Sequence, residues 1–320
     1  MIPKSRRFGI NEYLLWCNIS SESFPRLLNC DLCGENEFLL LREDVSVDVE
    51  LSVSWPVYVC DFCGLIQQNP RMDQDFYKNY YAKKYSELLK SYSEVRLSFD
   101  VLFSDQILRG KNVLNYILPL IKNSTARDSK LKVLDVGCST GGMLYPFQEK
   151  GWEVFGNDPD EASIAYGRSK GIRNLENLSA EEMIFEIETF DVVMIIGSLE
   201  HVFNLKKVLD CCMKYLKVGG LIIISGRGYP IKHSSVYFNH HHHRYFNSSS
   251  LEYLFENYNL DPIDSTNATL LGEHRKTSII RIGRKKDRSK FKVTPRSQNL
   301  VNKKGLEIIE YFSEHDRKFR

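Results

Sequence analysis

Beyond residue 130 the chain alternates short apolar runs with amphipathic stretches. Residues 132–136, 153–157, 191–196 and 221–225 read as buried strands with helices between them. Such alternation predicts an α/β fold built on a doubly wound, mostly parallel sheet. After Ser225 the order changes to a loop, a helix over 250–258 and two adjacent strands over 262–266 and 278–282, which fit an antiparallel sheet edge. Ser249 and Glu252 have the spacing of a capping box, which predicts where that helix begins.

The first part of the chain has other periods. Residues 45–53 alternate and 56–59 form a short apolar run, so a small β ribbon is expected there. Tyr85, Leu88, Leu89, Tyr92, Val95, Phe99, Leu102 and Phe103 then recur at helical spacing, and Leu114, Ile117, Leu118 and Ile121 predict a second helix bent near Pro119. The expected organisation is an extension over 1–25, a ribbon over 26–70, a helical connector over 71–125, the α/β domain over 126–284 and a basic extension over 285–320. Polar residues 122–130 look like the linker. The final stretch carries Lys285, Lys286, Arg288, Lys290 and Lys292 before an amphipathic run through Leu306, Ile309 and Phe312. A solvated or loosely docked tail is the expectation for it, against a phosphate-binding or membrane-surface patch.

A length of 320 residues with 42% hydrophobic residues supports a sizeable core. The net charge of +2 argues against a global field for nucleic acid, and no apolar run approaches a membrane span. The basic start, Met1 to Gly9, lacks a following signal region, so a cytoplasmic location is expected. Oligomeric state is not legible.

Four of the eight cysteines form two matched knuckles, Cys30-Asp31-Leu32-Cys33-Gly34 and Cys60-Asp61-Phe62-Cys63-Gly64. Two Cys-x-x-Cys knuckles separated by a strand-rich loop predict a four-thiolate tetrahedral zinc site at Cys30, Cys33, Cys60 and Cys63, over a pair of unmetallated thiol hairpins or a thioredoxin-like dithiol. With all positions filled by protein, the metal would be structural.

The most informative segment is 134–142, Leu-Asp-Val-Gly-Cys-Ser-Thr-Gly-Gly, which ends a buried strand in a glycine-rich turn with an acid in its floor. Gly137, Gly141 and Gly142 let the backbone approach a ligand. A carboxylate at Asp135 would repel a pyrophosphate but attract the ammonium and sulfonium of S-adenosylmethionine. About twenty positions on, Asp158 ends the next strand, where an acid can accept hydrogen bonds from both ribose hydroxyls. The run resembles motif I of the class I S-adenosylmethionine-dependent methyltransferases, with Ser139 in place of the usual middle glycine and therefore expected in an ordinary backbone conformation. The resemblance covers residues 131–282. It implies a Rossmann-like fold, S-adenosylmethionine bound by Asp135, Gly137, Cys138, Ser139, Gly141, Asp158, Ala180 and Ser198, and a pocket edge at Ser198-Leu199-Glu200-His201-Val202. Glu200 and His201 are the candidate catalytic pair; His201 has the titration range of a general base, and shaping the pocket or capping the next helix is the alternative.

The stretch 239–247 carries four consecutive histidines, whose divergent directions in an extended loop argue against a metal site. Through His242, Arg244, Tyr245 and Phe246 it resembles a segment that borders the acceptor pocket in this group, with Arg244 placed to grip an anionic acceptor. Residues 58–67 resemble the second zinc knuckle of methyltransferases that modify nucleotide-linked sugars. The resemblances together imply methylation of a small acceptor, a nucleotide-linked sugar or glycan precursor. O-methylation is expected over C-methylation, because the sugar C-methyltransferases carry a further domain for which the chain has no room after Ile282. RNA base methylation and a non-catalytic cofactor-binding interaction protein are the alternatives.

Overall fold

The computed structural model describes residues 6–17, 27–47, 51–80, 98–121, 130–227, 238–271, 278–287 and 304–318. The helical run expected through Tyr85 and Tyr92, most of the 122–130 linker, and Arg288, Lys290 and Lys292 lie outside them.

The chain divides into two compact units, one of residues 1–94, 228–253 and 294–320, the other of 95–227 and 254–293. These boundaries differ from the sequence reading. Residues 99–121 belong with the α/β unit and form no separate connector, whereas 228–253 and the end of the chain belong with the cysteine knuckles.

The α/β unit is built on seven strands, β7 (Lys132–Val136), β8 (Glu153–Asn157), β9 (Leu175–Glu176), β10 (Phe190–Ile195), β11 (Leu216–Arg227), β13 (Leu260–Asn267) and β14 (Ser278–Lys285). Their order is β13-β14-β11-β10-β7-β8-β9. β7 pairs parallel with both β8 and β10, which places its carboxyl end where the sheet order reverses. Only β14 runs against its neighbours, inserted between β11 and β13. The doubly wound, mostly parallel sheet expected from the alternation is therefore present. Asp191 fixes register at the opposite end of the strands, accepting from the Lys132 backbone N–H and from Lys217 Nζ, each at 2.9 Å.

One continuous helix, α3 (Phe99–Ile117), replaces the expected break between Phe103 and Leu114, because no residue between them stops a helix. The Ser98 hydroxyl caps it, and Pro119 lies in a short 3₁₀ turn that ends it. Phe103, Val113, Leu114 and Ile117 of α3 are buried with Val133, Leu144, Phe147 and Val192 in one apolar core. The remaining helices of this unit are α4 (Tyr145–Glu149), α5 (Glu161–Ser169) and α6 (Leu205–Tyr215).

The other unit holds two small sheets. β1 (Arg6–Phe8), β3 (Val45–Ser46) and β4 (Leu51–Val53) form one, so the alternating stretch makes a sheet of its own. The knuckle sheet contains β2 (Phe38–Arg42), β5 (Val57–Cys60), β6 (Ile66–Gln68) and β12 (Arg244–Tyr245), with β12 paired antiparallel on β6. Helices α1 (Ile10–Trp16) and α2 (Gln74–Tyr80) precede the undescribed 81–97.

Helix α7 (Ser248–Asn257) starts one residue before the predicted capping box. Its cap is Asn247, whose Oδ1 accepts from Ser250 N at 3.0 Å while Ser250 Oγ accepts from Asn247 N at 2.9 Å. Glu252 pairs with Lys304 at the start of α8 (Lys304–Lys318). This last helix is docked on the second knuckle. Ile308 and Phe312 are buried, Gly64 faces Ile308, and Gly305 is where a side chain would meet Asp61.

Candidate functional site

The α/β unit gathers its predicted residues at the carboxyl ends of β7, β8 and β10. Gly137 and Gly141 take φ of +75° and +71°, and Ser139 joins them at +51°. That corrects the expectation of an ordinary conformation for Ser139, since a left-handed residue is needed to swing the turn round. Its backbone N–H donates to Asp158 Oδ2 at 2.8 Å, while Gly137 N and Cys138 N donate to the Asn157 carbonyl. Asp158 Oδ1 accepts from Asp160 N at 2.9 Å. Asp158 thus holds the turn, using one acceptance on each oxygen and keeping further lone pairs.

Close packing explains the glycines. A Cβ on Gly137 would lie 2.5 Å from the Cβ of Ser198, the residue that locks the end of β10 to β7 by donating from Oγ to the Val136 carbonyl at 2.6 Å. Cys138 is buried, and Gly156 gives its sulfur space.

Asp135 is only 3% exposed, and no donor among the described residues hydrogen-bonds to its carboxylate. Burial pushes its pKa up to about 7, with the Arg109 guanidinium opposing the rise and Asp158 adding to it. Burial also raises Asp158, against the backbone N–H groups of Asp160 and Ser139. Arg109 was not legible as a site residue. It is buried on α3, its Nη2 pairs with Asp105 at 2.7 Å, and its Nε has no acceptor among the described residues. Gln106, one turn earlier, is a second missed residue; its Oε1 accepts from Thr140 Oγ1 at 2.6 Å and Gly142 N at 2.9 Å. The signal was the i, i+3, i+4 pattern of Gln106, Arg109 and Gly110 on a face otherwise apolar. Gly110 belongs to it, because a Cβ there would lie 2.3 Å from the Met143 carbonyl.

Ala180 is buried in a short turn whose neighbour Glu181 accepts from Phe203 N and Asn204 N at 2.8 and 3.0 Å. α6 is capped by the Asn204 side chain, so helix capping there falls to Asn204 and Glu181, with Glu200 and His201 one turn upstream. Glu200 is buried; His201 is half-buried, its backbone N–H bonded to the Ser198 carbonyl.

His242, Arg244 and Tyr245 lie in the other unit with the cysteines. Arg244 is fully buried, donating from Nε and Nη2 to Asp31 Oδ2 at 2.9 and 2.6 Å. Arg71 grips the same carboxylate through both terminal nitrogens. Tyr245 Oη pairs with the backbone of Asn239, and the His240 ring bridges Tyr80 Oη at 2.5 Å and the Ser46 carbonyl at 3.1 Å. The two knuckles share one geometry: Gly34 N and Gly64 N each donate to the carbonyl of the leading cysteine, Cys30 or Cys60, at 2.9 Å. All four sulfurs lie within 4.8 Å of one another, with Cys30–Cys63 and Cys33–Cys60 at 3.5 Å. A tetrahedral zinc with metal–sulfur bonds near 2.3 Å requires sulfurs about 3.8 Å apart, so the set fits that ion. Among the described residues it is the one cluster suited to a metal, and no helix is long and apolar enough to cross a membrane.

Residues 111–265 match the family described as "Methyltransferase domain". A ubiquinone biosynthesis O-methyltransferase of Rhizobium etli is 32% identical over 124 residues, which are 35% of this chain and 50% of that protein. The protein of the same name from Bradyrhizobium is 34% identical over 101 residues, 30% of this chain and 40% of that one. The chain thus spans about half the length, or less, of these curated relatives. Among solved structures, the 1,6-didemethyltoxoflavin-N1-methyltransferase of Burkholderia thailandensis, bound to 1,6-didemethyltoxoflavin and S-adenosylhomocysteine, has a TM-score of 0.53 at 16% identity. That alignment covers 77% of this chain and all of the other, and shows a shared fold. Residues 111–265, carried on this sheet, are thus similar to the methyltransferase-domain family and share its fold.

Proposed function

We propose that the chain binds S-adenosylmethionine in the turn of residues 135–142 and methylates an oxygen of a small-molecule acceptor. The observation that carries this reading is the pairing of a buried acid and a buried cation beside the glycine turn. A methionine group is a zwitterion. Asp135 would take its ammonium, and Arg109, whose Nε has no acceptor among the described residues, its carboxylate. Asp158 would hold the ribose through its remaining lone pairs, Ala180 would lie against the adenine, and Ser198 would keep the strand ends at the right separation.

When bound, the cofactor would supply an electrophilic methyl group for transfer to the acceptor oxygen, with S-adenosylhomocysteine as the leaving group. The hydroxyl proton must leave, and His201 is the proposed base, with Glu200 orienting it. Alignment of nucleophile and methyl carbon would supply most of the rate. Transfer to oxygen agrees with the names of the curated relatives. A nucleotide-linked sugar or glycan precursor is the proposed acceptor class, supported by the likeness of residues 58–67 to the sugar-modifying enzymes. Arg244 is proposed as a structural residue, since its charge is answered by Asp31. Zinc at the four cysteines is proposed as structural.

The test is a transfer assay with methyl-labelled cofactor against nucleotide sugars, glycan lipids and polyprenylated phenols. Label in a sugar product supports the reading; label confined to phenols assigns a different acceptor. Failure to bind S-adenosylhomocysteine at all would sink the proposal.

A further inference from the structure

The segment 239–247 is far from the cysteines in sequence, yet it is stitched to the knuckle sheet along its whole length. Gln68 N donates to the His243 carbonyl at 3.0 Å and Gln68 Nε2 to the Asn239 carbonyl at 2.9 Å. β12 pairs on β6, and Asn247 Nδ2 donates to the Gly64 carbonyl at 2.7 Å, which ties the segment to the second knuckle. The tie to the first knuckle is ionic. Asp31 stands between Cys30 and Cys33, and its carboxylate is shared by Arg244 and Arg71, 213 and 40 residues away. Both guanidiniums are at most 5% exposed and the carboxylate 12%, so little water is available to replace either partner.

We propose that Asp31 is a positioning residue that, through Arg244, couples the four-cysteine metal site to the segment 239–247. A knuckle turn holds its backbone shape only while its two sulfurs converge with the other pair. The direction of the Asp31 carboxylate depends on that shape, and Arg244 in the two-residue β12 depends on the carboxylate. The metal would thereby set the conformation of the His242–Tyr245 stretch without touching it. This coupling does not depend on the function proposed above.

The coupling is measured on the full chain loaded with zinc, without cofactor or acceptor, and so independently of the proposed activity. Hydrogen exchange is followed in peptides spanning 238–247 and 131–142, together with the rate of zinc release to a chromogenic chelator. By reciprocity of the binding free energies, a coupling that carries metal to segment also carries segment to metal, and with zinc association unchanged a loss of affinity is read as faster release. Arg244→Met is expected to speed zinc release at least 10-fold although it is no ligand, and Asp31→Asn to raise exchange in 238–247 at least 10-fold with zinc still stoichiometric. Exchange in 131–142 should change less than 2-fold. Asp31→Glu should recover part of the protection, and the double variant Asp31→Asn with Arg244→Met should lose no more than the worse single one. Because a buried charge left unpaired can unfold the unit, Arg244→Met, which keeps the Asp31–Arg71 pair, is the control for folding. Zinc release unchanged in Arg244→Met, or additive losses in the double variant, would overturn the proposal.

Discussion

Replacing Gly137 by alanine tests whether the turn is built on close approach or only on glycine's backbone freedom. Its φ is +75°, and an L side chain in that region costs about 1–2 kcal/mol. The added methyl would also sit 2.5 Å from the Ser198 Cβ and 3.1 Å from its Oγ. Ser198 cannot simply rotate away, because its hydroxyl is bonded to the Val136 carbonyl at 2.6 Å. Overpacking of this kind adds about 1–3 kcal/mol, so Gly137→Ala should cost about 2–5 kcal/mol. Gly151 supplies the comparison: its φ is +88°, and a Cβ there meets nothing within 4 Å. Gly151→Ala should therefore cost only the backbone part, about 1–2 kcal/mol. Urea denaturation would measure both, and calorimetry with S-adenosylhomocysteine would show binding weakened at least 10-fold in Gly137→Ala alone. Adding Ser198→Gly should recover the steric part. Equal losses at the two glycines, or no recovery in the double variant, would refute the packing argument.

Three more outcomes follow from the same site. Asp135, raised from 3.8 to about 7, binds its proton more tightly folded than unfolded, a difference on the order of 4 kcal/mol. That stabilisation is complete below pH ~4 and is lost as pH rises through ~7. The unliganded wild type should thus fall behind Asp135→Asn in stability toward pH 8, with the gap closing in acid. Cofactor affinity should move oppositely, weakening below pH ~7 in wild type and remaining flat in the variant. Arg109→Met should weaken S-adenosylhomocysteine 10- to 100-fold while leaving 5′-methylthioadenosine, which lacks the amino acid group, within about 3-fold; a parallel loss of both ligands would count against the carboxylate contact. Gln106→Leu leaves two buried donors, Thr140 Oγ1 and Gly142 N, without their acceptor and should cost about 2–5 kcal/mol by denaturation.

The strand ends were legible because a parallel strand buried on both faces writes itself as an apolar run, and Asp135 and Asp158 stood out against it. The cysteine knuckles were legible because their ligands are local pairs. Residues that act across the chain were not. Gln106 and Arg109 look like ordinary polar positions of an amphipathic helix until α3 is laid on the turn, and Ser139 gives no local sign of its left-handed backbone. Arg244 reads as a spare cation until Asp31 is found beside it.

By itself, then, the sequence determined the alternation of strand and helix, the acid-floored glycine turn and the two thiolate pairs, all of which are encoded within a few consecutive residues. Tertiary structure decided the order of the sheet, with β14 inserted against its neighbours, the recruitment of α3 to the turn, and the joining of 239–247 and α8 to the cysteine knuckles. Each of these depends on burying one apolar face, or one charge, against a partner many residues away, and periodicity records that a face is apolar but not what will cover it.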